Sequence, residues 1–403
     1  MKAGPLEGLR VVEWALGVPG SYCGKLLADL GAEVIKIEGP EGNPIRNEGP
    51  FPDDIPGIER SAIFLHLNVN KLGITLNLES TTGQTILQQL LKDTDIFVTD
   101  CELRTLRDHG LEYAALAKAN PQLIFTPITP FGLTGPYKDY KATDLITYHM
   151  SGYGHSTPGR VDDPAQEPPL RSGGRQSEYA AGLIAAIGAM HAVFTRFQTG
   201  RGQLVDVSRH ESLTSFNLTN LATYSFTGQT PVRHRGGRGM GALLLPCIDG
   251  WVCFIMLMDY QWGSFLDALG NPEWGTWEVF ASRNSRNENW DAMEPLLHEE
   301  TLKFTIQELT DACQKRRVSC LPVNTIKRIV DSEHLAARNF FVEVEHPVVG
   351  KVRLPRSPFV FSATPLSIRT PAPLLGEHNA AVLSERLGYP PEEVATMKST
   401  GVI

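Results

Sequence analysis

Leu9-Arg-Val-Val-Glu-Trp-Ala15, the turn Gly17-Val-Pro-Gly20, a helical run to about residue 30 and then Glu33-Val-Ile-Lys-Ile-Glu38 decide the fold. The outer segments are short and apolar, as strands are. The segment between them has the length and pattern of a helix. Strand, helix, strand is a βαβ opening, which favours a parallel sheet. The alternation continues outward. Residues 73–78, 95–99, 123–128 and 203–207 read as strands, and 82–92, 111–120, 177–197 and 211–226 as helices. This is the doubly wound α/β pattern. The helix at 177–197 is small-residued and apolar nearly all round, which predicts burial.

Two polar, Gly-rich breaks, 152–174 and 227–242, read as loops. Beyond Cys247 the elements shorten: a strand at 251–255 and helices near 261–269, 290–297 and 305–315. Residues 225–325 are therefore expected to form a smaller second domain, after a large one spanning 1–224. Segments 376–387 and 391–400 read as two surface helices.

The chain has 403 residues, 42% of them hydrophobic and 20% charged, which is a globular composition spread over two or three domains. Its net charge of −8 argues against a general nucleic-acid or anionic-membrane binder. No run approaches eighteen apolar residues, and residues 1–9 lack the pattern of a secretory signal, so no membrane span or export is expected. Six scattered cysteines form no CxxC pair and have no zinc spacing, which predicts reduced thiols in a cytoplasmic protein without a metal site.

Five features invite chemistry. Gly17, Gly20 and Gly24 open a helix, and Glu38 ends the next strand where a dinucleotide fold places its ribose-binding acid. The spacing is GxxGxxxG rather than GxGxxG, and a tight turn accounts for it equally. An NAD-dependent reductase is thus one reading. Glu178 falls in the first turn of the 177–197 helix, where free N–H groups and the helix dipole favour a carboxylate and allow a nucleophile. An ordinary first-turn glutamate fits the same pattern. Gly236-Gly-Arg-Gly-Met-Gly241 permits close backbone approach to an oxyanion, through Gly237 and Gly239, or serves as a hinge. Arg46, Lys71, Arg104, Arg107, Lys138 and Lys141 lie near strand ends and suit phosphates. Ser208 lacks the GxSxG elbow of a hydrolase and reads as a helix cap.

Pro5-Leu-Glu-Gly-Leu-Arg-Val-Val-Glu13 and Leu27-Ala-Asp-Leu-Gly-Ala-Glu-Val-Ile-Lys-Ile-Glu38 open a series of matches. Asn70-Lys-Leu-Gly-Ile-Thr-Leu-Asn-Leu78, Pro130-Phe-Gly-Leu-Thr-Gly-Pro136 and Thr199-Gly-Arg-Gly-Gln-Leu-Val-Asp-Val-Ser208 continue it in order, and Gly376-Glu-His-Asn379 opens the matching tail. Together they resemble the family III CoA-transferases, which include formyl-CoA transferase, carnitine CoA-transferase and the α-methylacyl-CoA racemases. The resemblance implies a Rossmann-like large domain built from both chain ends, with 326–403 returning to it, and an interlaced dimer. It implies CoA transfer from an acyl-CoA thioester to a carboxylic acid, with CoA a substrate and no permanently bound cofactor. A nucleophilic aspartate and a covering Gly-rich loop belong to that scheme. Here Glu178 stands at the aspartate position, and the loop matches 236–241. Val18, Pro19 and Leu76 match CoA-lining positions, with Lys71, Arg104 and Lys141 as candidate phosphate partners. Asp100 and Cys101 depart from the family pattern. Thr143 stands before Asp144 where a racemase would have histidine, so that branch is disfavoured. Some relatives work as two unlike subunits, as in benzylsuccinate CoA-transferase, so a catalytically silent partner subunit is the rival reading. Met256, Met258, Asp259, Tyr260 and Trp262 are candidates for an acceptor pocket.

Overall fold

The computed structural model describes residues 4–161, 163–230, 233–235, 242–255 and 258–403. The chain divides into two units, the first comprising residues 1–154, 171–230 and 337–403, the second 155–170 and 231–336.

In the first unit the opening motif becomes β1 (Arg10–Trp14), α1 (Val18–Asp29) and β2 (Glu33–Glu38). Then come α2 (Ala62–Leu67), β3 (Lys71–Thr75), α3 (Thr81–Lys92), β4 (Ile96–Thr99), α4 (Leu103–Asp108), α5 (Tyr113–Ala119), β5 (Ile124–Thr129) and α6 (Asp144–Met150). A two-residue strand of the second unit, β6 (Arg160–Val161), intervenes before α7 (Gln176–Thr199), β7 (Val207–Ser208), α8 (Arg209–Ser215) and α9 (Leu218–Thr227).

Six parallel strands run in the order β3-β2-β1-β4-β5-β7. The order reverses between β1 and β4, the switch point where such sheets leave a crevice beyond their C-terminal ends. Alternate residues face opposite layers. Val12, Ile35, Ile74, Phe97 and Phe125 share one core with α3, α5 and the chain end, which contributes Val382, Leu383, Met397 and Val402. Val11, Val34, Ile96, Val98 and Ile124 share the other with α1 and α7. A sheet covered on both faces is the doubly wound α/β architecture.

Several local expectations change. The helix expected over 211–226 breaks into α8 and α9 at Phe216–Asn217, where the Asn217 side chain accepts from the Asn220 side chain. The strand expected over 203–207 forms a ladder only at Val207–Ser208, with a single bridge from Leu204 to Phe125. The segment expected to be a surface helix over 376–387 is a π-type helix over Ala381–Arg386, and its Val382 and Leu383 are core.

The apolar helix α7 is buried on one side only. Ala181, Ala185, Ala189 and Ala192 fall on that side at helical spacing. Gly182 sits there because a Cβ would stand 2.6 Å from the Pro19 carbonyl oxygen, so α1 approaches backbone to backbone. Leu183, Ile187, Phe194 and Phe197 remain exposed. By length and composition α7 is apolar enough to cross a membrane, yet half of its most apolar window is packed inside the unit, as in a core helix.

The second unit adds β8 (His234–Arg235), β9 (Ala242–Cys247), β10 (Gly250–Ile255), α10 (Asp259–Ala268), α11 (Arg283–Glu288), α12 (Trp290–Thr301), α13 (Ile306–Lys315) and β11 (Ser319–Pro322). The antiparallel sheet β11-β10-β9 packs on a core rich in Trp and Phe. Residues 155–170 join this unit because β6 pairs with β8.

Candidate active site

The turn from β1 into α1 is held by a carboxylate from the far side of the switch point. Asp100, just after β4, accepts from the backbone N–H of Leu16 at 2.7 Å, Gly17 at 3.1 Å and Gly20 at 3.1 Å. Burial pushes its carboxyl above the ordinary aspartate range, against the N–H groups of Leu16, Gly20 and Gly17 that hold it down. Asp100 thus occupies the helix N-terminus where a dinucleotide fold would seat a phosphate. A Cβ on Gly20 would lie 2.5 Å from that of Ala15 and 3.1 Å from Asp100 Oδ2. The first glycines therefore serve close packing, and the nicotinamide reading loses its phosphate site. It loses its ribose acid too. Glu38 is buried, pairs with Arg46 through Nε at 2.7 Å and Nη2 at 2.9 Å, and accepts from the Asn43 N–H.

Beneath this turn lies a buried charge cluster. Glu13 pairs with Lys36 at 2.8 Å and Lys71 at 2.7 Å, and Lys71 also donates to the Ser21 carbonyl and to Asn68. Burial alone would raise the Glu13 carboxyl, but the two ammonium groups outweigh it and hold it low. Burial brings Lys71 down to about 8.

Above the strand ends opens a cavity of about 800 Å³, a size usual for small-molecule sites. Leu16, Gly17 and Pro19 form one wall and Ile128 to Pro130 another. Arg104, Arg107, Lys138 and Lys141 stand around it, each of the two arginines and Lys141 near a carboxylate: Arg104 3.7 Å from Asp108, Arg107 3.5 Å from Glu112, Lys141 3.2 Å from Glu102. Glu178 and Arg209 complete the lining.

Glu178 is in the first turn of α7. Its side chain is 12% exposed, and its two oxygens each stand 3.3 Å from a guanidinium, Arg175 on one side and Arg209 on the other. Burial, the largest influence, raises its carboxyl above the ordinary glutamate range; Arg175 and Arg209 pull it down and Asp144 pushes it up. Asp144 itself accepts from the Ser177 N–H at 3.0 Å and hydroxyl at 2.7 Å, fixing the start of α7. Arg209 is held by its own bond to the Ala142 carbonyl. Arg175 has a second carboxylate partner in Glu48. A largely buried carboxylate on a cavity wall that also carries Arg104, Arg107, Lys138 and Lys141 suits nucleophilic or electrostatic work on a polyanionic substrate.

The model of CoA-transferase family III matches residues 6–379. The chain belongs to the family III CoA-transferases. It is 30% identical to a succinate–glutarate CoA-transferase of Agrobacterium fabrum, over 94% of this chain and 95% of that one. It is 30% identical to the BbsE subunit of a succinyl-CoA:(R)-benzylsuccinate CoA-transferase of Thauera aromatica, over 98% of this chain and 97% of that one. The crystal structure of a CaiB/BaiF family protein from Brucella suis superposes with a TM-score of 0.86 at 30% identity, covering 95% of this chain and all of the other. The chain is accordingly an enzyme that moves CoA between an acyl-CoA thioester and a carboxylate, with CoA as substrate and no resident cofactor.

The transferase brings together only some of the residues expected from sequence. Glu178, Pro19, Arg104 and Lys141 line one cavity. Lys71 does not: its ammonium is enclosed by Glu13, Ser21 and Asn68. Arg46 is likewise spent on Glu38 and Glu59. The Val18 and Leu76 side chains are buried in separate apolar clusters and do not line the cavity. Gly237, Gly239 and Met256 lie outside the described residues. Trp262 is core of the second unit, under the Arg286 guanidinium, whereas Met258 and Tyr260 are exposed. Ser208 caps α8, as expected, by accepting from the Glu211 N–H. All six cysteines are free, and five are buried. Arg175 and Arg209 were missed by sequence reasoning. An arginine three residues before Glu178 was a visible signal; Arg209 is 31 residues away, and no local pattern pointed to it.

Proposed function

We propose that Glu178 is the nucleophile of this transferase. The observation that carries the reading is its carboxylate, set on the cavity wall between two guanidiniums. A Glu178 oxygen attacks the thioester carbonyl, the C–S bond breaks, and CoA leaves as thiolate. The thiolate then attacks the Glu178 carbonyl of the mixed anhydride, releasing the donor acid and leaving a glutamyl-CoA thioester. Arg104, Arg107, Lys138 and Lys141 are the groups we assign to the CoA phosphates. The names of the relatives, with succinate, glutarate and benzylsuccinate in them, make dicarboxylic acids the first substrates to test.

The test is intact-mass analysis after brief exposure to a panel of acyl-CoA thioesters including succinyl-CoA, followed by peptide mapping. The expected result is a CoA adduct on Glu178 that Glu178→Gln abolishes. An adduct on another residue refutes the assignment. CoA binding without any adduct favours the second reading, a partner subunit whose sibling carries the chemistry, which the BbsE relative supports. For either reading we propose an interlaced pairing of chains. Its support is α9, no residue of which is buried although it carries Leu218, Leu221, Tyr224 and Phe226, together with the exposed Phe194 and Phe197 of α7.

A further inference from the structure

Glu178 and its two guanidiniums differ in what happens to each when the carboxylate is consumed. Arg175 keeps a second anion, Glu48. Arg209 has no second ion pair among the described residues. Its remaining bond is to the neutral Ala142 carbonyl. Asp100 and Asp144 are near enough to act on its charge, but Asp100 is committed to the N–H groups of Leu16, Gly17 and Gly20, and Asp144 to Ser177 and Arg171. The Arg209 side chain is 12% exposed and lines the cavity, so the charge that is released faces the substrate space and little bulk water.

We propose that Arg209 is the docking group for the carboxylate of the acceptor acid, and that it becomes available only while Glu178 is covalently occupied. The inference rests on Glu178 being the nucleophile. In the free enzyme the Glu178 carboxylate fills Arg209. Once Glu178 is a thioester it is neutral, and Arg209 is left as a nearly enclosed cation without its anion, a costly state that an incoming carboxylate relieves. An acceptor oxygen then attacks the Glu178 carbonyl, the C–S bond breaks and CoA thiolate leaves. The thiolate attacks the acceptor's carbonyl carbon, the C–O bond breaks, and the electron pair returns to Glu178 as carboxylate, which pairs with Arg209 again. No proton or redox partner is required. The order of the two half-reactions is thereby written into one ion pair.

The test measures consumption of the isolated CoA adduct by succinate, glutarate and acetate in rapid-quench experiments. Losing a charge-assisted pair corresponds to about 10- to 100-fold. Arg209→Gln is expected to raise the half-saturating acceptor concentration by that factor, with Arg209→Lys recovering part of it. In the unsubstituted enzyme, acceptor concentrations that saturate the adduct are expected not to slow its formation from acyl-CoA. That second measurement needs no variant to fold. Unchanged acceptor dependence in an Arg209→Gln protein that still forms adduct overturns the inference and leaves Glu178 as nucleophile. So does acceptor competition against adduct formation. Absence of an adduct on Glu178 in the unsubstituted enzyme removes both.

Discussion

Replacing Asp100 by alanine tests how the cavity wall is built. The carboxylate joins the end of β4 to the first turn of α1 through the N–H groups of Leu16, Gly17 and Gly20. Three charge-assisted bonds at about 1.5–3 kcal/mol each would suggest a loss above 4 kcal/mol. Two facts lower that figure. Asp100 and Gly17 border the cavity, so water reaches the vacated donors. The upward shift of the Asp100 carboxyl also shows that burial outweighs the stabilisation of its charge by the N–H groups. A helix-cap loss of about 1–2 kcal/mol is the better expectation. Denaturant midpoints of the unsubstituted and Asp100→Ala proteins, compared at one pH, read this directly. The variant also exposes a bare helix N-terminus, which attracts anions. Sulfate should therefore restore part of the lost stability in the variant beyond its general effect on the native protein. A midpoint change equivalent to less than about 0.5 kcal/mol, with no selective sulfate effect, would refute the reasoning.

Two more perturbations follow from the same region. In Gly24→Ala the new methyl carbon would lie 1.9 Å from Glu13 Oε2 and 3.4 Å from Lys71 Nζ, so α1 must shift or the buried Glu13–Lys71 pair must open. Breaking a buried pair costs about 3–5 kcal/mol, and a loss under about 1 kcal/mol in denaturant titration would show that the cluster gives way easily. The pH profile of adduct formation tests the site itself. As the proposed nucleophile Glu178 must be ionised to attack, and burial raises its carboxyl, so activity should fall on acidification at a pH above the ordinary glutamate value of about 4.3. Arg209→Gln removes one of the groups that pull it down and should move this limb further up. A limb at or below the ordinary value contradicts the burial argument.

The parallel sheet was legible because its strands are short apolar runs separated by helix-length segments, and period and length are local properties. The reach of α7 was legible for the same reason, but its exposure was not. Composition reports that a helix is apolar; it does not report that the alanines share one side while Phe194 and Phe197 share another. The fate of charged residues was the least legible. Lys71 and Lys141 look alike in sequence, yet one is closed around Glu13 and the other stands at a cavity. That difference is made by Glu13, 58 positions from Lys71, a separation at which no local pattern speaks. The glycines after β1 misled in an instructive way. They do mark a close backbone approach, but the anion that approaches is Asp100 from the protein itself.

The length of the Glu178 side chain and the presence of Arg209 make sense together. An aspartate at this position would draw its carboxylate back by one bond, about 1.5 Å. Both guanidiniums now stand 3.3 Å from a glutamate oxygen. Withdrawn by that amount, the carboxylate would leave Arg209 without an anion in the resting enzyme, the state that the proposal reserves for the covalent intermediate. A shorter nucleophile would thus be compatible with an uncharged residue at 209, and a longer one has a use for the arginine. Glu178→Asp in the unsubstituted background should accordingly lose more activity than the same change made together with Arg209→Gln, since the second substitution removes the cation that the first leaves exposed. Equal losses in the two backgrounds would mean that the residues act independently, and the pairing would then be structural only.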